Sequence, residues 1–98
     1  MNMQAMIKQA QKLQKDMMEE KKTIDEKLFE AENEMVSIKM KGTKHVVELK
    51  IKLDTIDVED KEILEDMILV ATNQVISKIE EETNEKMGKY TQGMSGMM

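Results

Sequence analysis

Apolar residues in this chain change their spacing twice, and that change constrains the fold more than any other feature. Near the start they fall at Met3, Met6, Ala10, Leu13, Met17 and Ile24, the alternating three-and-four spacing of a helical seam. Glu20 breaks the seam once. Ile7 and Met18 widen it, as in a helix packed on a core rather than in a strict zipper. With no Pro or Gly in the run, the spacing predicts a helix from about Gln4 to about Leu28.

The period then becomes two. Val36, Ile38 and Met40 alternate with Ser37, Lys39 and Lys41. After a turn at Gly42-Thr43-Lys44, Val47, Leu49, Ile51 and Leu53 alternate with Glu48, Lys50 and Lys52. Two alternating runs around a Gly-containing turn predict an antiparallel hairpin with one face buried. Phe29-Glu-Ala-Glu-Asn33 is a candidate first strand, with Phe29 and Ala31 inward.

Helical spacing returns with Leu64, Met67, Ile68, Ala71, Val75 and Ile79. Asp57 is placed to cap this second helix, with Glu59, Asp60 and Glu62 near the positive end of its dipole. Gly88 is a natural stop, after Met87 and between Lys86 and Lys89. The order is α-β-β-β-α. The expected fold is α+β, a three-stranded antiparallel sheet flanked by two long helices. Residues 1–90 form a single domain, followed by a flexible Met/Gly tail over 91–98.

Length turns this order into a statement about assembly. At 1.5 Å per residue the helices span about 37 and 45 Å. A compact chain of 98 residues has a radius of gyration of about 13 Å, a sphere only about 34 Å across. Both helices overhang such a body with their apolar stripes, and the simplest cover is a second copy of the chain. Composition agrees. One Phe, one Tyr and no Trp stand beside twelve Met, and Met packs adaptably without fixing geometry. Such a core gains from being doubled, so a homodimer is expected.

Enzyme chemistry has little to stand on. The absence of Cys excludes disulfides, thiolate metal sites and thiol nucleophiles. His45 is the sole histidine and sits beside the hairpin turn. The four Gly, at 42, 88, 93 and 96, form no phosphate-binding or dinucleotide loop, and no calcium loop occurs. The carboxylates lie in solvated runs such as Glu80-Glu-Glu82. No enzymatic activity, cofactor, metal or small-molecule substrate is expected. No run reaches the roughly 18 apolar residues of a membrane span, and Lys8, Lys12 and Lys15 interrupt any signal-like stretch. The expectation is a cytoplasmic protein without membrane contact.

Charge is unevenly spread. The net value is −5. Residues 1–15 nevertheless carry three lysines and no acid, and residues 35–53 carry five lysines against Glu48. Residues 54–85 carry two lysines against eleven acids. Lys8, Lys12 and Lys15 share one helix face opposite the seam, and Lys39, Lys41, Lys50 and Lys52 share the outer face of the hairpin. Polar outer faces of a helix and a sheet explain such lysines in part. A phosphate-contacting surface doubled by dimer symmetry also explains them. All fifteen cations are Lys, which meets phosphate as a point charge, whereas bidentate reading of guanine favours Arg. Any nucleic-acid binding should therefore have weak sequence preference.

At this point the residues resemble a known family. Gln9-Ala-Gln-Lys-Leu-Gln-Lys-Asp-Met-Met18 is similar to the first helix of the YbaB/EbfC nucleoid-associated proteins. Asp57-Val-Glu-Asp-Lys-Glu-Ile-Leu-Glu-Asp-Met67, Ala71-Thr-Asn-Gln, Glu80-Glu-Glu82 and Glu85-Lys-Met-Gly88 resemble its second helix more specifically. The resemblance implies an α-β-β-β-α homodimer of the cytoplasm and nucleoid that binds double-stranded DNA through helices projecting from the dimer. By position it points to Lys8, Lys12 and Lys15 first and then to Lys86 and Lys89; the hairpin lysines Lys39, Lys41, Lys50 and Lys52, read from the alternation alone, form a secondary basic face. Relatives usually carry a Gly-rich segment where this chain has Ala31-Glu-Asn-Glu-Met35, which should be more ordered and more acidic here. The alternative is a dimeric protein-interaction adaptor that docks a partner through its acidic second helix or Met-rich ends.

Overall fold

The computed structural model describes residues 2–95. Helix α1 spans Met3–Glu26, strands β1, β2 and β3 span Leu28–Glu32, Val36–Lys41 and Val46–Ile51, and helix α2 spans Lys61–Ser95. A single 3-10 turn, Val58–Asp60, leads into α2. This is the expected α-β-β-β-α order, and the sheet is antiparallel with strand order β1-β2-β3.

Local chemistry sets the boundaries. Asn2 caps α1 by accepting from the Gln4 N–H at 3.1 Å, which satisfies one of the free donors of the first turn. At the other end the Lys27 N–H bonds back to the Thr23 and Ile24 carbonyls as the chain turns extended. Asn33 organises the β1–β2 connection. Its side-chain oxygen accepts from the Met35 and Val36 N–H groups, and its amide donates to the Met67 carbonyl of α2, all at 3.0 Å. The connection over 32–35 is thus held by one side chain against the second helix.

Gly42 opens the β2–β3 turn and packs against the end of α1. Its N–H donates to the Lys27 carbonyl at 3.0 Å, and a Cβ there would overlap the Ile24 carbonyl oxygen. Lys44, the one non-glycine residue with positive φ among the described residues, closes the turn at φ 71°.

The core lies between the sheet and α2. Pairing of Phe29 with Met40 and of Ala31 with Ile38 places all four on one face with Val36. Ala71, Val75 and Ile79 of α2 and Ile24 of α1 pack onto that face. The expected first strand is confirmed, with Phe29 and Ala31 inward. Lys78 of α2 reaches over the edge of β1 and donates to the Glu30 carbonyl at 2.7 Å.

Four sequence expectations need correction. Helix α2 does not stop at Gly88 but continues to Ser95, because Lys89 and Tyr90 are held on α1. Those contacts outweigh the roughly 1 kcal/mol that Gly costs inside a helix. Residues 91–95 of the expected tail belong to this helix, and 96–98 lie outside the described residues. Asp57 precedes the 3-10 turn and its side chain makes no cap hydrogen bond; the Asp60 N–H bonds to the Asp57 carbonyl instead. The hairpin itself is irregular between Lys39 and Met40, where Met40 pairs with Val46. Finally, the inner side of β3 is uncovered. Leu49 and Ile51 share a face with Ile38 and Val36 but remain about two-fifths exposed, since α2 lies mainly over β1 and β2.

Both helices do overhang the sheet. The molecule measures 72 × 25 × 14 Å with a radius of gyration of 19.8 Å, well above the ~13 Å of a compact chain of this length. At 35 residues α2 is about 52 Å long, more than twice the length of six-residue strands.

Candidate nucleic-acid interface

Beyond the sheet, α1 and α2 run antiparallel as a two-helix arm. Lys27 meets Glu82, Glu20 meets Lys89 and Tyr90, and Ala10, Leu13 and Met17 lie along a groove with Tyr90. Earlier residues of α1 thus meet later residues of α2. The seam residues Met17, Glu20 and Ile24 turn toward α2 and are half-buried or buried. That orientation fixes where the lysines point.

Lys8, Lys12 and Lys15 lie on the opposite side of α1, all exposed. None of them makes an ion pair among the described residues. Three unneutralised ammonium groups thus line about 10 Å of one helix face. Lys22 continues the row seven residues after Lys15, exposed and likewise without an ion pair among the described residues. The i, i+4, i+7 series 8, 12, 15 points to it, since 15 to 22 is two helical turns. Glu19 lies between them on the same face, so the most positive part is the N-terminal one.

The other candidates are placed differently. Lys89 is 3.3 Å from a Glu20 carboxylate oxygen and its ammonium sits 5.1 Å from the centre of the Tyr90 ring. The Tyr90 hydroxyl donates to the same Glu20 oxygen at 2.7 Å. The hydrogen bond from Tyr90, with help from Lys89, holds the Glu20 carboxyl below its ordinary range. The hydrogen bond and charge of Glu20 raise Lys89, and the hydrogen bond to Glu20 raises Tyr90. Lys86 has no ion pair among the described residues, though its charge bears on Glu20.

On the outer face of the sheet, positive and negative groups interleave. Lys39 lies opposite Glu48 across the strands at 3.4 Å, Lys50 reaches Glu48 at 3.4 Å, and Lys52 reaches Glu32 at 3.2 Å. Burial pushes the Glu48 carboxyl up, but hydrogen bonds and charge from Lys50 and Lys39 outweigh it and leave the group below its ordinary range. Lys41 alone of this set makes no ion pair among the described residues. The structure thus brings together a free basic row on α1, an engaged Lys89 and a largely neutralised sheet face. Cross-strand pairing of Lys with Glu is the signal that separates them, and it requires the register.

No group of three His, Cys, Asp or Glu side chains among the described residues is arranged to hold a metal. No helix among them is long and apolar enough to cross a membrane. What this geometry presents to a ligand is a line of ammonium groups on a projecting helix. Comparison with known proteins gives that line a context. The sequence model of the YbaB/EbfC DNA-binding family matches residues 1–94. This chain belongs to that family.

Relatives extend the match over nearly the whole length. A nucleoid-associated protein of Enterococcus faecalis is 43% identical over 97 residues, covering 97% of this chain and 93% of that protein. One of Lactococcus lactis subsp. lactis is 43% identical, covering 96% and 97%. One of Clostridium acetobutylicum is 44% identical, covering 96% and 86%. Membership in the YbaB/EbfC family makes this a DNA-binding protein and not an enzyme.

Proposed function

We propose that the chain is a nucleoid-associated protein that binds duplex DNA as a homodimer, by phosphate contact from the lysine row of the α1 arm and with weak sequence preference. The observation that carries this reading is the exposed row Lys8, Lys12 and Lys15, free of acidic partners among the described residues, on a helix that projects from the body. Laid parallel to the duplex axis, their span of about 10 Å covers about three phosphates of one strand at 3.4 Å of axial rise each. Lys86 lies on α2, on the other side of the arm from the row, and offers a separate cation. The absence of Arg removes the best reader of base edges, so affinity comes from the backbone.

Dimerisation is supported by what the single chain leaves uncovered. Leu49 and Ile51 on the inner side of β3 and Ile63 and Val70 on α2 are all between 40 and 47% exposed. The outer edge of β3 has no neighbouring strand among the described residues. A second copy that covers these residues would remove apolar surface from water, and it brings a second lysine row.

A mobility-shift titration of a labelled duplex, from low to moderate salt, tests the reading with Lys8, Lys12 and Lys15 changed together to Glu. Binding that is lost or strongly weakened supports α1 as the contact. Unchanged binding removes α1 from the mechanism. No shift for the unaltered chain even at low salt would favour the protein-interaction adaptor instead.

A further inference from the structure

Glu20 is the sole polar residue of the α1 seam, with apolar neighbours at 3, 6, 10, 13, 17 and 24. It faces α2 all the same, and its side chain is only 26% exposed. A carboxylate in that place removes apolar contact and gains only if it finds directed partners. It finds two. The Tyr90 hydroxyl donates at 2.7 Å and the Lys89 ammonium lies at 3.3 Å, with Lys89 also over the Tyr90 ring. Tyr90 is itself buried, 7% exposed, in the groove formed with Ala10, Leu13 and Met17.

The rest of the arm seam specifies little. Met, Ala and Leu fit one another at several offsets, and Met in particular packs adaptably. Two such helices can slide past each other by one turn, about 5.4 Å, while keeping most of their apolar packing. A single polar residue in an apolar seam is the known means of fixing one register at some cost in stability.

We propose that Glu20, Tyr90 and Lys89 form a register lock in the α1–α2 arm and act as positioning residues for DNA contact. The lock sets how far the lysine row stands from the sheet, and hence the spacing between the two rows of a dimer. Lys89 serves this lock as the partner of Glu20 and is not itself a phosphate ligand. The role in DNA contact rests on the function proposed above; the lock itself does not.

The lack of Cys allows a direct measurement on the full-length chain. Spin labels on Gln11→Cys and Glu85→Cys, diluted with unlabelled chain, report the offset of α1 against α2 without DNA. The unaltered arm should give one narrow distance. Tyr90→Phe, which keeps every charge, and Glu20→Leu should each broaden it or add a second distance. Glu20→Gln, which can still accept from Tyr90, should stay close to the original. A single unchanged distance in both Tyr90→Phe and Glu20→Leu overturns the lock. Circular dichroism showing intact helix in each variant separates register from unfolding.

Duplex binding gives the second arm of the test. If Tyr90→Phe leaves the arm in the productive register about one-fifth of the time, affinity falls about fivefold. Should Lys89→Gln instead lower duplex affinity and flatten its salt dependence while the spin-label distance stays unchanged, Lys89 is a phosphate ligand and the proposal fails. An unchanged distance and the absence of any duplex binding are separate outcomes, so the lock and the DNA reading fail independently.

Discussion

Ile38 and Leu49 lie directly opposite each other across β2 and β3, yet Ile38 is 1% exposed and Leu49 is 43% exposed. Their side chains share one face of the sheet, so the difference lies in what covers that face. Helix α2 lies mainly over β1 and β2 and leaves β3 largely bare. One long helix is narrower than three strands at about 4.8 Å spacing plus their side chains. The uncovered strip continues through Ile51, and the proposed cover for it is a second chain.

Leu49→Asp should therefore weaken self-association more than folding. If the exposed part of Leu49 is covered in the dimer, deleting that apolar surface costs about 1 kcal/mol per chain, and a buried carboxylate adds more. Molecular mass by light scattering should fall toward that of a single chain over a concentration range where the unaltered protein stays paired. Circular dichroism should show helix and strand retained.

Gly42→Ala is a test of folding rather than assembly. A methyl group at this position overlaps the Ile24 carbonyl, which belongs to backbone at the end of α1 and cannot swing aside. Either the turn or the helix end must move. A cost of about 2–3 kcal/mol is expected, read as a lower urea midpoint. Lys44→Gly next to it should do the opposite or nothing, since Lys44 already holds a positive φ that Gly adopts freely.

Asn33→Ala removes three hydrogen bonds at once, two within the β1–β2 turn and one to the Met67 carbonyl. The expected destabilisation is about 2–3 kcal/mol, because a half-buried amide makes all three and the groups left behind are partly shielded from water. Asn33→Asp keeps the two acceptor bonds but sets a negative charge against the Met67 carbonyl, so it should fall between Ala and the unaltered chain. Thermal unfolding of the three proteins gives the order directly.

The two periods of the sequence were enough to place five elements, the hairpin turn and the buried faces of β1 and β2. They did not place the end of α2. Gly88 is a stop signal locally, and only the contact of Lys89 and Tyr90 with Glu20, about seventy residues away, carries the helix past it. The same holds for the seam. Glu20 reads as a defect until Tyr90 is beside it. Among the site residues, the lysines of α1 were legible because helical spacing alone decides their face. Those of the hairpin were not, because whether Lys39 and Lys50 are free depends on Glu48 standing opposite Lys39, a matter of register.

Acid should loosen the arm. The Glu20 carboxyl is held below its ordinary 4.5 by Tyr90 and Lys89, so its charged form is favoured in the folded chain. The stabilisation is fully present above about 4.5 and is lost as pH falls through the lowered value. At the alkaline end Tyr90 and Lys89 are both raised, so their contribution persists below about 10 and disappears as pH climbs past the raised values. Protection of the amides of residues 3–20, taken relative to the unstructured exchange rate at each pH, should fall at both extremes. Glu20→Gln should flatten the acid limb, and an acid limb that survives in Glu20→Gln would assign it to another carboxylate.

Salt dependence separates the two lysine sets. A dimer that places Lys8, Lys12 and Lys15 from each chain on phosphate neutralises six charges, for a slope of log affinity against log salt of about −5.4. Changing Lys12 to Gln removes two contacts per dimer and should reduce the slope to about −3.6, with weaker binding at every salt concentration. Changing Lys50 to Gln should alter neither much. Its ammonium is already matched by Glu48, and breaking that pair to meet a phosphate returns little, since one ionic contact is exchanged for another. If Lys50→Gln lowers the slope as much as Lys12→Gln, the sheet face binds DNA and the neutralisation seen in the free chain gives way on binding.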